Sequence, residues 1–111
     1  MKIQLFHGGG HLPYQIGRLD RAYEMRLETS KKISMKPSEY LKMFYFDTIV
    51  HSGEALEYLI NLVGAEQVML GSDYPFDMGL YQFNDLLDEI NISEADRKKI
   101  KSENAERLFQ V

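Results

Sequence analysis

Three short stretches of apolar and β-branched residues, at positions 2–6, 44–50 and 67–71, predict β-strands. The stretch 44–50 is almost continuously apolar, which is typical of a strand covered on both faces, as in parallel sheets. Between and after these strands, apolar residues recur at helical spacing. The chain therefore alternates strands with helices, a pattern that favours an α/β fold.

The predicted helices run from residue 13 to about 28, over 37–43, over 53–63, from about 78 to 90, and from 94 to about 108. Pro13 and Pro37 suit the first turns of the first two helices. Ser52 and Ser93 suit N-caps, and Gly64 suits a C-terminal stop. Residues 29–36 are polar and predict a loop.

Helices between consecutive strands are long enough to join them in parallel. A sheet of three parallel strands is small, however, and leaves both edges uncovered. The length of 111 residues suits one domain, residues 1–111, and excludes a complete (β/α)₈ barrel, which needs about 200 residues or more. The predicted architecture is therefore an incomplete parallel α/β unit.

Composition narrows the function classes. The 13 basic and 17 acidic residues give a net charge of −4 without a basic cluster, which argues against nucleic-acid binding. The chain has no cysteine, so any metal must be held by His, Asp or Glu. No apolar stretch reaches the roughly 18 residues of a membrane span. We expect a cytoplasmic protein without a membrane partner.

His7, His51 and Asp73 each follow one of the predicted strands, where ligand sites of parallel sheets lie. An imidazole and an oxygen donor on one edge could bind a divalent metal such as zinc. Each residue also has an ordinary interpretation, since His7 could bond a tight glycine turn, Asp73 could form a turn or helix cap, and His51 could start a helix. His11 receives no role.

The glycine run after His7 fits neither a phosphate loop, since no Gly-x-x-x-x-Gly-Lys-Ser/Thr pattern follows, nor a hydrolase oxyanion loop, since no Gly-x-Ser-x-Gly occurs. Arg18 could grip a substrate carboxylate or pair with a neighbouring acid on its own helix. Tyr14 and Tyr74 could line a pocket for a planar substrate or simply pack.

Four segments together resemble the C-terminal part of amidohydrolase-related enzymes of the aminocarboxymuconate-semialdehyde decarboxylase type. They are His7-Gly8-Gly9-Gly10 with Pro13, Gly17 and Arg18; residues 44–48 followed by His51; Leu70-Gly71-Ser72-Asp73-Tyr74-Pro75-Phe76; and residues 104–109. The resemblance covers nearly the whole chain.

This resemblance implies a distorted (β/α)₈ barrel with a divalent metal, usually zinc, that decarboxylates or hydrolyses a small carboxylate substrate. By similarity, His7 is a catalytic residue that orients and deprotonates a metal-bound water, and Asp73 is a metal ligand that takes part in catalysis. Arg18 matches an arginine that binds the substrate carboxylate, in some members across a dimer interface. The family's His-x-His metal ligands have no counterpart in this sequence.

We therefore expect a fragment that carries strands six to eight of such a barrel and is inactive by itself, because catalytic zinc usually has three protein ligands. The alternative is a non-catalytic α/β module that completes its sheet by self-association. Either interpretation makes a homo-oligomer the expected assembly. The sequence leaves the substrate, and the choice between decarboxylation and hydrolysis, undecided.

Overall fold

The computed structural model describes residues 2–81 and 85–111. Three parallel strands form its sheet: β1 (Gln4–Leu5), β2 (Tyr45–Asp47) and β3 (Val68–Met69). Their order is β1-β2-β3, so β2 is central. Gln4 is opposite Tyr45, and Phe46 is opposite both Leu5 and Val68. The predicted α/β class and parallel pairing are confirmed, and the three carboxyl ends meet at one edge of the sheet.

The strands are shorter than the predicted ranges 2–6, 44–50 and 67–71. β1 and β3 each pair on one side only among the described residues, so few of their backbone groups enter a ladder. The second strand ends early because the backbone turns after Asp47, where the Val50 N–H donates to the Thr48 carbonyl at 2.9 Å. Hydrogen-bonded pairing, rather than apolar composition, therefore sets the strand ends.

Seven α-helical segments follow or separate the strands among the described residues. They are α1 (Leu12–Met25), α2 (Leu27–Ser30), α3 (Pro37–Leu41), α4 (Gly53–Val63), α5 (Asp85–Glu89), α6 (Glu94–Lys98) and α7 (Asn104–Phe109). Helices α1 to α3 connect β1 to β2, and α4 connects β2 to β3. A π-helical turn, Lys99–Glu103, joins α6 to α7.

The first predicted helix is divided. Arg26 has an extended backbone, with φ −123° and ψ 113°, and separates α1 from α2. Met25 and Leu27 on either side are exposed, so no core packing continues the helix across this point. The prediction of a loop from residue 29 was wrong for its first two residues, which belong to α2. The helix at Pro37 is confirmed but ends at Leu41.

The predicted caps of α4 and α6 are confirmed. The Ser52 hydroxyl accepts from the Ala55 N–H, and the Ser93 hydroxyl accepts from the Asp96 N–H. Gly64 ends α4 with φ 93°, a value that favours glycine.

The predicted helix from Met78 to Ile90 was wrong over residues 78–81, which form a loop. The Leu80 N–H donates to the Ser72 carbonyl at 2.8 Å, and the Gly79 N–H donates to Phe76. These donors are therefore engaged by the loop and are not available to a helix. Phe83, placed by prediction on the inner face of this helix, lies outside the described residues.

The core lies between the sheet and the helices. Its fully buried members include residues from β2, α4, β3, α5 and the π-helical turn: Phe46, Leu56, Val68, Leu87 and Ile100. Burial of each such side chain stabilises the fold by about 1.5–3 kcal/mol relative to exposure. Among the described residues, no helix has the length and apolar character needed to cross a membrane.

Candidate functional site

His7 and Asp73, predicted from their positions after the first and third strands, lie side by side at the carboxyl edge of the sheet. The His7 Nε2 atom is 3.3 Å from the Asp73 Oδ1 atom. An imidazole protonated at Nε2 donates to this carboxylate. The His7 side chain is 62% exposed and the Asp73 side chain 21%, so the pair faces an open space. Proton transfer and metal binding both need such access.

Both residues have left-handed backbone conformations, with φ 55° at His7 and φ 58° at Asp73. Such values are uncommon for residues other than glycine, although His and Asp tolerate them better than most. His7 opens a 3₁₀ turn, His7–Gly9, that reverses the chain directly after β1. Gly9 permits this turn, because a Cβ atom there would lie 2.9 Å from the Phe46 ring.

Asp47, the last residue of β2, is a functional candidate that the sequence interpretation missed. The residue is 4% exposed. Its Oδ2 atom accepts from the His7 N–H at 2.9 Å, and its Oδ1 atom accepts from the Gly8 N–H at 2.9 Å and the Ile49 N–H at 3.0 Å. The sequence did contain one signal for Asp47, because an acidic residue inside an otherwise apolar strand needs hydrogen-bond partners in the interior.

The next residue, Thr48, contacts the loop on the other side. Its side chain is buried, and its Oγ1 atom accepts from the Gly71 N–H at 3.2 Å. Gly71 passes close to the strand, because a Cβ atom there would lie 3.0 Å from the Asp47 Cβ atom. The end of β2 therefore contacts the loops that carry His7 and Asp73.

A pocket of about 450 Å³ opens beside the His7–Asp73 pair. Asp47, Gly71 and Ser72 form part of its wall, together with three aromatic side chains, Phe6, Tyr74 and Phe76. These rings are largely exposed, at 70%, 78% and 62%. Exposed rings around a polar pair can contact both faces of a flat ligand. Tyr74 therefore lies where the sequence placed it, at the pocket.

Other predicted candidates lie elsewhere. Arg18 is exposed on α1 and lines a separate pocket with Arg21 and Arg26. Tyr14 lines a third pocket, on the α4 side of the glycine turn, so the idea that it shares a pocket with Tyr74 was wrong. His51 has φ 54° and an exposed side chain. It stands just before the Ser52 cap of α4, which agrees with its ordinary interpretation as a helix-start residue.

The donor set only partly fits a metal ion. Asp73 offers carboxylate oxygen and His7 offers imidazole nitrogen, the ligand types that zinc and similar cations accept. Within residues 2–81 and 85–111, however, no group of three His, Asp or Glu side chains converges. Three protein ligands are usual at a catalytic zinc. The two donors that converge among the described residues therefore fall short of the three that a catalytic zinc usually has.

The sequence matches the amidohydrolase family model over residues 1–111. It is 36% identical over 107 residues to 2-amino-3-carboxymuconate-6-semialdehyde decarboxylase from Dictyostelium discoideum. This alignment covers 95% of the chain and 30% of the Dictyostelium protein.

Two solved structures share both the fold and about a third of the aligned residues. The 5-carboxyvanillate decarboxylase from Sphingomonas paucimobilis has a TM-score of 0.85 and 32% identity, over 99% of this chain and 34% of that one. A dihydroxybenzoic acid decarboxylase from Polaromonas sp. JS666, with bound manganese and the inhibitor 2-nitroresorcinol, has a TM-score of 0.82 and 32% identity, over 98% and 33%. The chain spans about a third of the length of these relatives.

Proposed function

Because this chain belongs to the amidohydrolase family, and within it to the aminocarboxymuconate-semialdehyde decarboxylase type, we propose that it forms the closing segment of a metal-dependent (β/α)₈ decarboxylase. In that assembly it supplies one side of the active site. The observation that carries the proposal is the 3.3 Å approach of the His7 Nε2 atom to the Asp73 Oδ1 atom at the carboxyl edge of the sheet. Ligand sites of parallel α/β folds lie at this edge.

His7 is the acid–base group. In a decarboxylation, one carbon gains a proton and loses its carboxyl group as carbon dioxide, and the bonding electron pair stays with the carbon. A histidine suits the proton transfer because its ordinary pKa lies near neutrality. The exposed imidazole faces the pocket, while the Asp73 carboxylate accepts from its Nε2–H group and orients the ring.

Asp73 is the metal ligand of this segment. The remaining ligands would come from outside the described residues, since only two donors converge here. A bound divalent cation would supply Lewis acidity toward the substrate oxygens. The sequence resemblance favours zinc, whereas the Polaromonas relative holds manganese. We propose a divalent cation at this position, with zinc and manganese as the candidates to compare.

The substrate is a small aromatic or otherwise planar carboxylate. Phe6, Tyr74 and Phe76 surround the polar pair and offer flat apolar surfaces to such a molecule. Arg18 would bind a carboxylate group as a bidentate donor. Because Arg18 lies in a different pocket from His7, it would act on the site of a second copy rather than on its own.

A hybrid enzyme tests this function. This chain would replace the matched third of the Polaromonas decarboxylase. Release of carbon dioxide from dihydroxybenzoic acid would then be measured with added Mn²⁺ or Zn²⁺. We expect turnover, and we expect His7→Asn to lower kcat by about 10²–10⁴-fold, the usual contribution of a positioned acid–base group.

His51→Asn is the matched control, since it makes the same change at an exposed histidine that does not line the pocket. It should leave the rate near that of the unsubstituted hybrid. Equal losses in both variants would contradict the role of His7. The 111-residue chain alone should show no turnover above the metal blank, and activity of the chain alone that His7→Ala abolishes would contradict the need for further ligands.

The second candidate is a self-associating α/β module without catalytic activity. It is favoured by the open sides of β1 and β3, which pair only with β2 among the described residues. Unpaired strand edges readily accept strands from another chain.

A further inference from the structure

A buried carboxylate lies directly behind the candidate site. Asp47 ends the central strand and is 4% exposed. Within the part of the chain that the structure describes, no Lys, Arg or His forms an ion pair with it. Burying a charged group without a cation is unfavourable unless several hydrogen bonds compensate for its lost hydration.

Backbone N–H groups provide that compensation, and two of them belong to the turn that carries the imidazole. Among residues 2–81 and 85–111, the Oδ2 atom accepts only from the His7 N–H, at 2.9 Å, while the Oδ1 atom accepts from the Gly8 and Ile49 N–H groups. Hydrogen bonds to an ionised acceptor are about twice as strong as neutral ones. The Asp47 carboxylate therefore holds the turn after β1 through His7, the first residue of that turn.

The backbone conformation of His7 determines where its imidazole points, because few side-chain contacts hold the ring among the described residues. Its side chain is 62% exposed, and its described hydrogen-bond partner is Asp73. Its φ of 55° is unfavourable for a residue with a Cβ atom and persists only when surrounding contacts impose it. The His7 N–H···Oδ2 bond is such a contact, since it acts on the strained residue itself.

The same strand end also holds the other member of the pair. Thr48 Oγ1 accepts from the Gly71 N–H, in the loop that leads to Asp73. Gly71 packs closely against Asp47, because a Cβ atom at Gly71 would lie 3.0 Å from the Asp47 Cβ atom. The buried residues at the end of β2 therefore contact both loops.

We propose that Asp47 is a positioning residue: its carboxylate holds the His7 backbone in the left-handed conformation that aims the imidazole at Asp73. This inference rests on the proposed function only in taking His7 as the acid–base group. Asp47 itself acts through backbone groups and transfers no proton.

Asp47→Asn in the 111-residue chain tests the proposal, and Asp20→Asn is its matched control. The amide that replaces the Asp47 carboxylate has one acceptor oxygen, which can still accept from Gly8 and Ile49, while its NH₂ group faces the His7 N–H. Asp20 makes a similar bond, accepting from the Ser38 N–H at 2.9 Å between α1 and α3. The control therefore weakens a carboxylate-to-backbone bond away from the site, because the amide oxygen still accepts from Ser38 but carries no charge.

The readouts are amide hydrogen exchange and the imidazole NMR signals of the three histidines, recorded without metal or substrate. In Asp47→Asn, exchange at His7 should accelerate by about tenfold or more, as expected for loss of a hydrogen bond to a charged acceptor. The His7 imidazole signals should shift while those of His11 and His51 stay in place. Asp20→Asn should accelerate exchange at Ser38 and leave His7 unchanged.

Unchanged His7 imidazole signals in a folded Asp47→Asn chain would overturn the proposal and leave Asp47 a purely structural residue. Equal shifts at all three histidines would overturn it as well. If the variant does not fold, the unsubstituted chain is used instead, and the scalar coupling across the hydrogen bond between the His7 amide nitrogen and the Asp47 carboxyl carbon is measured. Absence of this coupling would overturn the proposal. A positive result with an inactive hybrid enzyme would contradict the proposed function but not the positioning.

Discussion

At the residue scale, three residues that follow the strands lie on backbone that most residues avoid, and two of them, His7 and Asp73, belong to the candidate site. His7, His51 and Asp73 all follow strands and all have φ between 54° and 58°. Each such residue costs of the order of 1–3 kcal/mol and needs surrounding contacts to persist. For the loops that carry His7 and Asp73, those contacts come from Asp47 and Thr48.

Gly71 tests how tightly the loop before Asp73 is packed. In Gly71→Ala the new Cβ atom would lie 3.0 Å from the Asp47 Cβ atom and 3.5 Å from Ile49 Cγ1. We expect a loss of about 1–3 kcal/mol in the free energy of unfolding, as for overpacking at a buried contact. Urea denaturation measures this loss.

Gly17→Ala is the control for this experiment. A Cβ atom at Gly17, inside α1, would meet no heavy atom within 4 Å. Alanine there should raise the free energy of unfolding by about 0.5–1 kcal/mol, because glycine is the weaker helix former. A Gly71→Ala chain as stable as the unsubstituted one would mean that the loop moves freely away from Asp47.

At the element scale, the segment after α6 holds the end of β3. The Ile100 carbonyl, in the π-helical turn, accepts from the Leu70 N–H at 3.0 Å. The buried Asn104 side chain donates from Nδ2 to the carbonyls of Ala65 and Val68, each at 2.7 Å. The sequence predicted one uninterrupted helix here. The π-helical turn is where that helix meets the sheet.

An ion pair spans the same junction and makes it sensitive to pH. Lys99 Nζ lies 2.8 Å from Glu66 Oε1, and this hydrogen bond is the main reason that the pKa of Glu66 falls below its usual value. A carboxyl group whose pKa is lowered on folding stabilises the protein above its unfolded-state pKa. That contribution is lost as the pH falls through the folded-state pKa.

Lys99→Met should therefore lower the free energy of unfolding at pH 7 only slightly, because solvent screens a pair that is largely exposed. The difference from the unsubstituted chain should shrink as the pH falls through the range in which Glu66 protonates. Denaturation at several pH values measures it. Lys32→Met is the control, at an exposed lysine without an ion pair among the described residues, and its stability difference should not depend on pH in this way. A stability difference for Lys99→Met that stays constant with pH would contradict the contribution of the Lys99–Glu66 pair.

At the scale of the whole molecule, neither edge of the sheet is covered by a further strand among the described residues. β1 and β3 each have one partner strand in the described part of the chain, and parallel strands are ordinarily covered at both edges. We expect the 111-residue chain in solution to form a defined oligomer whose helicity falls on dilution. Light scattering for the mass and circular dichroism for the helicity would check this, and a well-folded monomer at all concentrations would contradict edge completion.

The sequence by itself determined the features that depend on neighbouring residues. The alternation of strands and helices, the caps at Ser52 and Ser93, and the stop at Gly64 all follow from groups a few positions apart, so local patterns were sufficient. The placement of His7 and Asp73 at one edge also followed from the sequence, because strand ends of a parallel sheet share one edge whatever the register.

Only the tertiary structure decided what these residues contact. The 3.3 Å approach of His7 to Asp73 depends on the pairing of three strands with long sequence separations, which no local pattern encodes. The role of Asp47 depends on two loops meeting the end of β2, and the separate pocket of Arg18 depends on how α1 packs. The residue types thus indicated the candidate chemistry, whereas long-range packing determined which of the candidate residues lie together.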